Sequence, residues 1–222
     1  MIVPGRFNGP PDSGNGGYTC GLVAALLQGV VEVTLRTPPP LDRELEVVRV
    51  DGRVEIRDGA SLVAEAGPVE LEVDIPAPVS LADAADASKA YAGFEHHAYN
   101  SCFVCGPARE DGLRVYAGPV EGRPGLVASP WTPPADVAPE LVWAALDCPS
   151  GWAVDDFQRE GVLLGRMATE IERLPAPGEP HVVLGWRIGG DGRKRFAGSA
   201  LLTGDGRELA RSRSTWIVPA SR

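Results

Sequence analysis

The sequence predicts an α+β fold in which a buried apolar helix is wrapped by an antiparallel sheet, and in which that arrangement is built twice. Three observations carry the prediction. Two apolar helical segments occur, an uncharged one around residues 18–28 and one around 139–147 whose stretch Leu141–Leu146 is uncharged. Each is followed by short segments of alternating apolar and polar residues, the period of a half-buried strand. Asp-Gly turns join those segments at Asp51-Gly52, Asp58-Gly59, Asp191-Gly192 and Asp205-Gly206, which favours hairpins over parallel crossovers.

The first helix opens at Asn15-Gly16-Gly17 and runs from Tyr18 to Gln28 without a charge. Apolar on nearly every side, it is expected to be buried all round. Val31, Val33 and Leu35 then alternate with Glu32, Thr34 and Arg36. Pro38-Pro39-Pro40 interrupts, and strands resume over 45–50, 53–57 and from Leu62 onward. Val69, Leu71, Val73 and Ile75 alternate with Glu70, Glu72 and Asp74, which reads as one more strand. Pro and Ala then dominate to Gly93, with Ser80 placed to cap a short helix over Leu81–Ala92.

The second half starts with a strand pair around Leu113–Val115 and Leu126–Ala128. A helix follows from Pro139, a residue suited to a first turn, to Asp147, with Pro149 expected to end or kink it. Strands are expected over 166–173, 181–188, 194–202 and 208–218. The halves match in element order. Asp51-Gly52-Arg53 falls against Asp191-Gly192-Arg193, an offset of 191 − 51 = 140, and the Pro-rich end Thr34–Pro40 against Glu170–Pro177. The expected division is an N-terminal domain over 1–78, a connector over 79–92 and a C-terminal domain over 93–222.

Composition narrows the function. Lys and Arg total 21 against 30 Asp and Glu, a net charge of −9. Sequence-independent nucleic-acid binding needs clustered basic residues, and the longest basic run is Arg193-Lys194-Arg195. No stretch approaches the roughly 20 apolar residues of a membrane helix, and residues 1–11 lack the apolar core of a signal peptide. With four cysteines in 222 residues, a disulfide framework is not expected. Cytoplasm is the expected location.

Asp147 stands out because the six residues before it, Leu141 to Leu146, are all apolar. A carboxylate buried on such a helix is costly, and a helix C-terminus adds to the cost. An acid kept against both is a functional candidate. Asn15, Gly16 and Gly17 supply helix N-terminal amides that a ligand can approach closely, a place for a developing oxyanion. Trp143 and Trp152 flank Asp147 and are candidates to line a channel.

These residues carry a family likeness. Asn15-Gly16-Gly17-Tyr18 opening one helix, Ala144-Ala145-Leu146-Asp147 closing the other, and the tail Gly206–Ser212 resemble the 4-hydroxybenzoyl-CoA thioesterase superfamily. Within it they resemble the acyl-CoA thioesterase II family. The resemblance implies two fused hotdog domains, each a long central helix wrapped by an antiparallel sheet. It implies hydrolysis of an acyl-CoA or acyl-carrier thioester at the seam between them, with Asp147 as general base or nucleophile and Gly16-Gly17 amides holding the oxyanion. It also implies a homodimer or higher homo-oligomer, and no cofactor beyond the carrier portion of the substrate. The family's Gln position falls on Ser214 and its Thr position near the apolar Leu164, with Thr169 close by. That departure keeps a non-catalytic acyl-ligand binding protein as the second reading. A hotdog enoyl hydratase, which pairs an Asp with a His on one loop–helix segment, ranks third, since no His neighbours Asp147 or Gly17 in the chain.

His96, His97, Cys102 and Cys105 raise the question of zinc. A structural site needs four ligands, and no second Cys pair exists; Cys20 and Cys148 read as small core residues. The expectation is therefore no metal.

Overall fold

In the computed structural model, which describes residues 1–154 and 161–220, the chain begins with helix α1 (Gly16–Ala24) and strands β1 (Val31–Leu35), β2 (Glu46–Val50), β3 (Arg53–Asp58) and β4 (Ser61–Pro68). Helix α2 (Leu81–Lys89), β5 (Gly118–Pro119), β6 (Leu126–Trp131) and helix α3 (Pro139–Trp152) follow. The chain closes with β7 (Leu163–Ile171), β8 (His181–Asp191), β9 (Lys194–Thr203) and β10 (Glu208–Ile217). These strands form one antiparallel sheet in the order β2-β3-β4-β1-β7-β10-β9-β8-β6-β5.

Read outward from its middle, the sheet runs β1-β4-β3-β2 on one side and β7-β10-β9-β8 on the other. The strands after α1 and those after α3 thus take the same order. The innermost pair, β1 and β7, meets antiparallel from Val31 opposite Thr169 to Thr34 opposite Arg166. The 140-residue offset lands on equivalent hairpins, β2–β3 and β8–β9. At the first of these, Asp51 and Gly52 both take left-handed φ angles (48° and 75°), the twist that a two-residue hairpin turn requires.

Helix α1 lies over β1, β7 and β4, α3 lies over β8, β9 and β10, and the two helices pack on each other. Close approach is made possible by Gly17 and Gly21. A Cβ at Gly17 would run into Asp147 and sit 2.6 Å from the Trp143 carbonyl oxygen, and one at Gly21 would lie 2.6 Å from Glu140 Cα. Alternate residues of β8 serve two cores. Val183 joins the helix-side cluster, while Val182, Leu184 and Trp186 face a second cluster under α2.

Several expectations are corrected. Residues 69–75 form no strand. Both edges of β4 are already taken by β3 and β1, so the chain leaves the sheet after Pro68 and presses Val73 and Ile75 on the second cluster. Their alternation reports one-sided burial without pairing. Leu113 to Val115 is not a strand either: Leu113 and Val115 donate to the carbonyls of Phe103 and Val104 (2.8 and 2.9 Å), and β5 forms at Gly118–Pro119 instead. Helix α1 stops at Ala24, with Leu22 and Ala24 half-buried and Ala25 exposed, so it is buried on one side rather than all round. The capped helix after the Pro-rich stretch is found, with Ser80 accepting from the Asp83 amide (3.1 Å), but it ends at Lys89 rather than Ala92.

Helix α3 runs through Pro149 to Trp152. Proline removes one intrahelical bond and pushes on the preceding turn. The carbonyl that loses its donor is that of Ala145, and side chains bond the next two carbonyls along the helix. Ser199 donates to the Leu146 oxygen and Ser150 to the Asp147 oxygen (both 2.7 Å), and Trp216 Nε1 donates to Ser150 Oγ (2.9 Å). Ser150→Ala is expected to cost about 1–3 kcal/mol, the range for breaking buried hydrogen bonds of this kind. Denaturant unfolding measures it, and an unchanged midpoint would mean that these hydroxyls do not support the helix.

Candidate functional site

The site begins at the end of α1. Asn15 caps the helix: its Oδ1 accepts from the Tyr18 amide (2.9 Å). Its Nδ2 donates to Asp147 Oδ2 (3.0 Å), and the Gly17 amide donates to the same oxygen (2.9 Å). Asparagine suits both tasks, since an aspartate could cap the helix but could not donate to a carboxylate. The partial positive charge of an α1 amide thus meets the negative group on α3.

Asp147 is 2% exposed. Its Oδ1 is buried with no hydrogen-bond partner among the described residues. Burial pushes the carboxyl up to about 7, opposed by the Gly17 N–H; nearby Cys102 raises it further and the Asn15 amide lowers it. The expected penalty from a helix C-terminus does not apply as stated, because α3 continues past Asp147 to Trp152.

A cavity of about 510 Å³ opens beside this group, within the usual range for small-molecule sites. Asn15, Gly16 and Asp147 line it, together with Leu35, Leu164 and Trp216. Pro10, Pro11, Pro38 and Pro39 form further apolar wall, and Ser13, Arg36 and Thr37 add polar groups.

Other candidates lie elsewhere. Gly17 contributes its amide to Asp147 and so has none left for an oxyanion. Tyr18 is stacked on Phe7 with ring centroids 3.8 Å apart, outside the cavity lining. Trp143 and Trp152 are core residues and do not line it; Trp152 packs edge-on to Tyr91. Ser214 is buried, with its Oγ 3.1 Å from Ser150 Oγ. Leu164 does stand at the cavity, while Thr169 does not, and its buried hydroxyl has no partner among the described residues.

The cavity also contains residues that sequence reasoning set aside. His97, Tyr99, Cys102, Cys105 and Cys148 line it. A histidine therefore shares the cavity with Asp147 although none is near it in the chain. Its ring is engaged: Nδ1 accepts from the Tyr99 amide (2.9 Å), and Nε2 lies 3.3 Å from Cys105 Sγ. Hydrogen bonds from the Cys105 and Cys148 thiols, and from backbone N–H groups of Cys105 and Val104, hold the Cys102 thiol well below its usual range. Burial is the main cause raising those of Cys105 and Cys148. The Cys-x-x-Cys spacing signalled part of this group, but nothing in the letters tied Cys148 to it.

Neither a protein-family model nor a curated protein sequence matches the chain. Solved structures do. A conserved protein with a hot dog fold from Alicyclobacillus acidocaldarius aligns over 99% of this chain and 92% of its own, with TM-score 0.64 and 13% identity. The chain has the hotdog fold. An acyl-CoA thioesterase II from Mycobacterium marinum shares it over 100% of this chain and 92% of its own, at TM-score 0.58 and 13% identity. The tesB protein of Mycobacterium avium subs paratuberculosis aligns over 95% and 89%, at TM-score 0.57 and 13% identity. Among the described residues of this hotdog chain, no helix is long and apolar enough to cross a membrane.

Proposed function

We propose that this hotdog protein hydrolyses acyl thioesters, delivered on coenzyme A or a carrier protein, in the cavity beside Asp147. The observation that carries the reading is Asp147 at the wall of a largely apolar cavity, its Oδ2 fixed by Asn15 and Gly17 and its enclosed Oδ1 without a partner among the described residues. One oxygen is thereby oriented, and the reading requires the other, enclosed as it is, to meet a water in the cavity. In the proposed step Oδ1 takes a proton from water as the oxygen attacks the thioester carbonyl carbon. The tetrahedral oxyanion then collapses, the C–S bond breaks, and the departing sulfur receives the proton from Asp147. Gly16, at the cavity and in the first turn of α1, offers the amide for the oxyanion, the role first given to Gly17 as well.

The same reading takes residues 1–78 and 93–222 as two fused hotdog domains, each with its central helix, and 79–92 as their connector. The repeated strand order supports it. A second reading, a non-catalytic acyl-ligand binding protein, is favoured by one feature: Leu164 stands at the cavity, while the hydroxyls of Thr169 and Ser214 stay outside its lining.

Incubation with acyl-CoAs of graded chain length, with release of free thiol followed, separates the two. Turnover above the uncatalysed rate for at least one chain length is the expected result. A co-purified acyl ligand with no turnover across the series would establish the binding protein instead.

A further inference from the structure

We propose that Cys102, Cys105, Cys148 and His97 bind one zinc ion, which fastens the loop at residues 97–105 to α3 beside Asp147. The three sulfur atoms lie within 4.8 Å of one another, and all three residues are buried. Cys102 Sγ is 3.8 Å from Cys148 Sγ, and His97 Nε2 is 3.3 Å from Cys105 Sγ. Tetrahedral zinc, with Zn–S of about 2.3 Å and Zn–N of about 2.0–2.1 Å, places two sulfurs about 3.8 Å apart and a sulfur and a nitrogen about 3.5 Å apart. The Cys102–Cys148 separation matches a sulfur–sulfur edge of such a tetrahedron; His97 Nε2 stands beside Cys105 but outside the group of three converging sulfurs, and reaches the ion by a turn of its ring. Thiols that merely fill a core have no reason to converge sulfur on sulfur from segments 46 residues apart.

The loop is built to present its sulfurs. Backbone N–H groups of Val104 and Cys105 face Cys102 Sγ, and the Gly106 amide donates to the Cys102 carbonyl (2.9 Å). A side chain at Gly106 would strike the backbone of Asn100 and Cys102, so the tight turn after the second cysteine needs glycine. Leu113 and Val115 brace the loop from outside through Phe103 and Val104. The third sulfur arrives on α3, directly after Asp147.

Binding has a proton balance. Each cysteine that is still a thiol releases its proton to solvent as the Zn–S bond forms. In the metal-free ring the Tyr99 amide donates to Nδ1, which puts a neutral imidazole's proton on Nε2. Coordination by Nε2 moves that proton to Nδ1 and breaks the Tyr99 contact. His97 is accordingly the weakest of the four ligands, and the three thiolates carry most of the affinity. With four protein ligands the coordination sphere is closed, as in structural sites. The sequence-level expectation of no metal rested on a ligand count that omitted Cys148.

The test uses the full chain expressed with added zinc and purified under reductant without chelator. About one zinc per chain by elemental analysis is the expected result, with a rise in melting temperature over chelator-stripped protein. Cobalt added to stripped protein should give the strong visible bands of a tetrahedral thiolate site, titrating to about one equivalent. Cys102→Ser and Cys148→Ser should each lower zinc affinity at least about tenfold in competition with a chromophoric chelator. His97→Ala should lower it less, and Cys20→Ser should leave it unchanged. Failure of the wild-type chain to bind zinc or cobalt under reductant would overturn the proposal, whether or not the variants fold. So would equal zinc affinity in Cys148→Ser, or a Cys102–Cys148 disulfide that persists under reductant.

Discussion

Replacing Asp147 with asparagine is expected to abolish thioester turnover by at least about 10²–10⁴-fold, the range that positioned acid–base catalysis supplies. Binding of an unreactive acyl-CoA analogue should persist. The geometry favours this separation. Asn15 Nδ2 and the Gly17 amide both donate to Oδ2, and the carbonyl oxygen of an asparagine at 147 can accept both. What is lost is Oδ1, the oxygen with no partner among the described residues, and with it the capacity to take a proton from water. The fold should be at least as stable, because a buried negative charge is removed while both donors stay paired. Steady-state kinetics, analogue binding and denaturant unfolding on one preparation decide it. A variant with full activity would show that Asp147 is structural, and one that unfolds would show that its charge holds α1 to α3.

Much of the sheet was legible because its signals are local. Period-two alternation marked β1 and β3, and Asp-Gly pairs marked the hairpins, with no need to know what they packed against. The same signal misled at 69–75, since alternation reports that one side is buried but not that an edge is free to pair. Pro149 misled for a different reason. The helix around it is bonded by Ser199 and Trp216, 53 and 66 residues from the groups they contact, and no local rule contains them. Asp147 was legible as an acid set in an apolar run, and Asn15 and Gly17 as a helix opening. Their direct contact spans 130 residues or more, so the sequence suggested two halves of a site but misread what the Gly17 amide holds. Cys148 was hidden in the same way. Beside Pro149 on an apolar helix it looks like filler, and its meaning appears only where α3 meets the loop carrying Cys102.

The crossing of α1 and α3 yields the second large expected effect. Gly17 and Gly21 stand one turn apart on α1, and both face α3 backbone or Cβ atoms at distances that no side chain tolerates. Gly17→Val would drive its side chain into Asp147 and Trp143, so the helices must separate or α1 must shift along its axis. Overpacking of this kind costs about 1–3 kcal/mol or more. For a protein of this size each kcal/mol lowers the melting temperature by about 2–4 °C, so a fall of several degrees is expected. Activity should drop further than the unfolded fraction explains, because separating the helices withdraws the Gly17 amide and the Asn15 side chain from Asp147 together. Gly189→Ala is the control: a Cβ there meets nothing within 4 Å, and its effect should stay within about 0.5 kcal/mol. Thermal unfolding of both variants, alongside turnover measured well below either transition, checks the argument. If Gly17→Val melts with the wild type, or loses stability but keeps full turnover, the contact between α1 and Asp147 does not position the carboxylate.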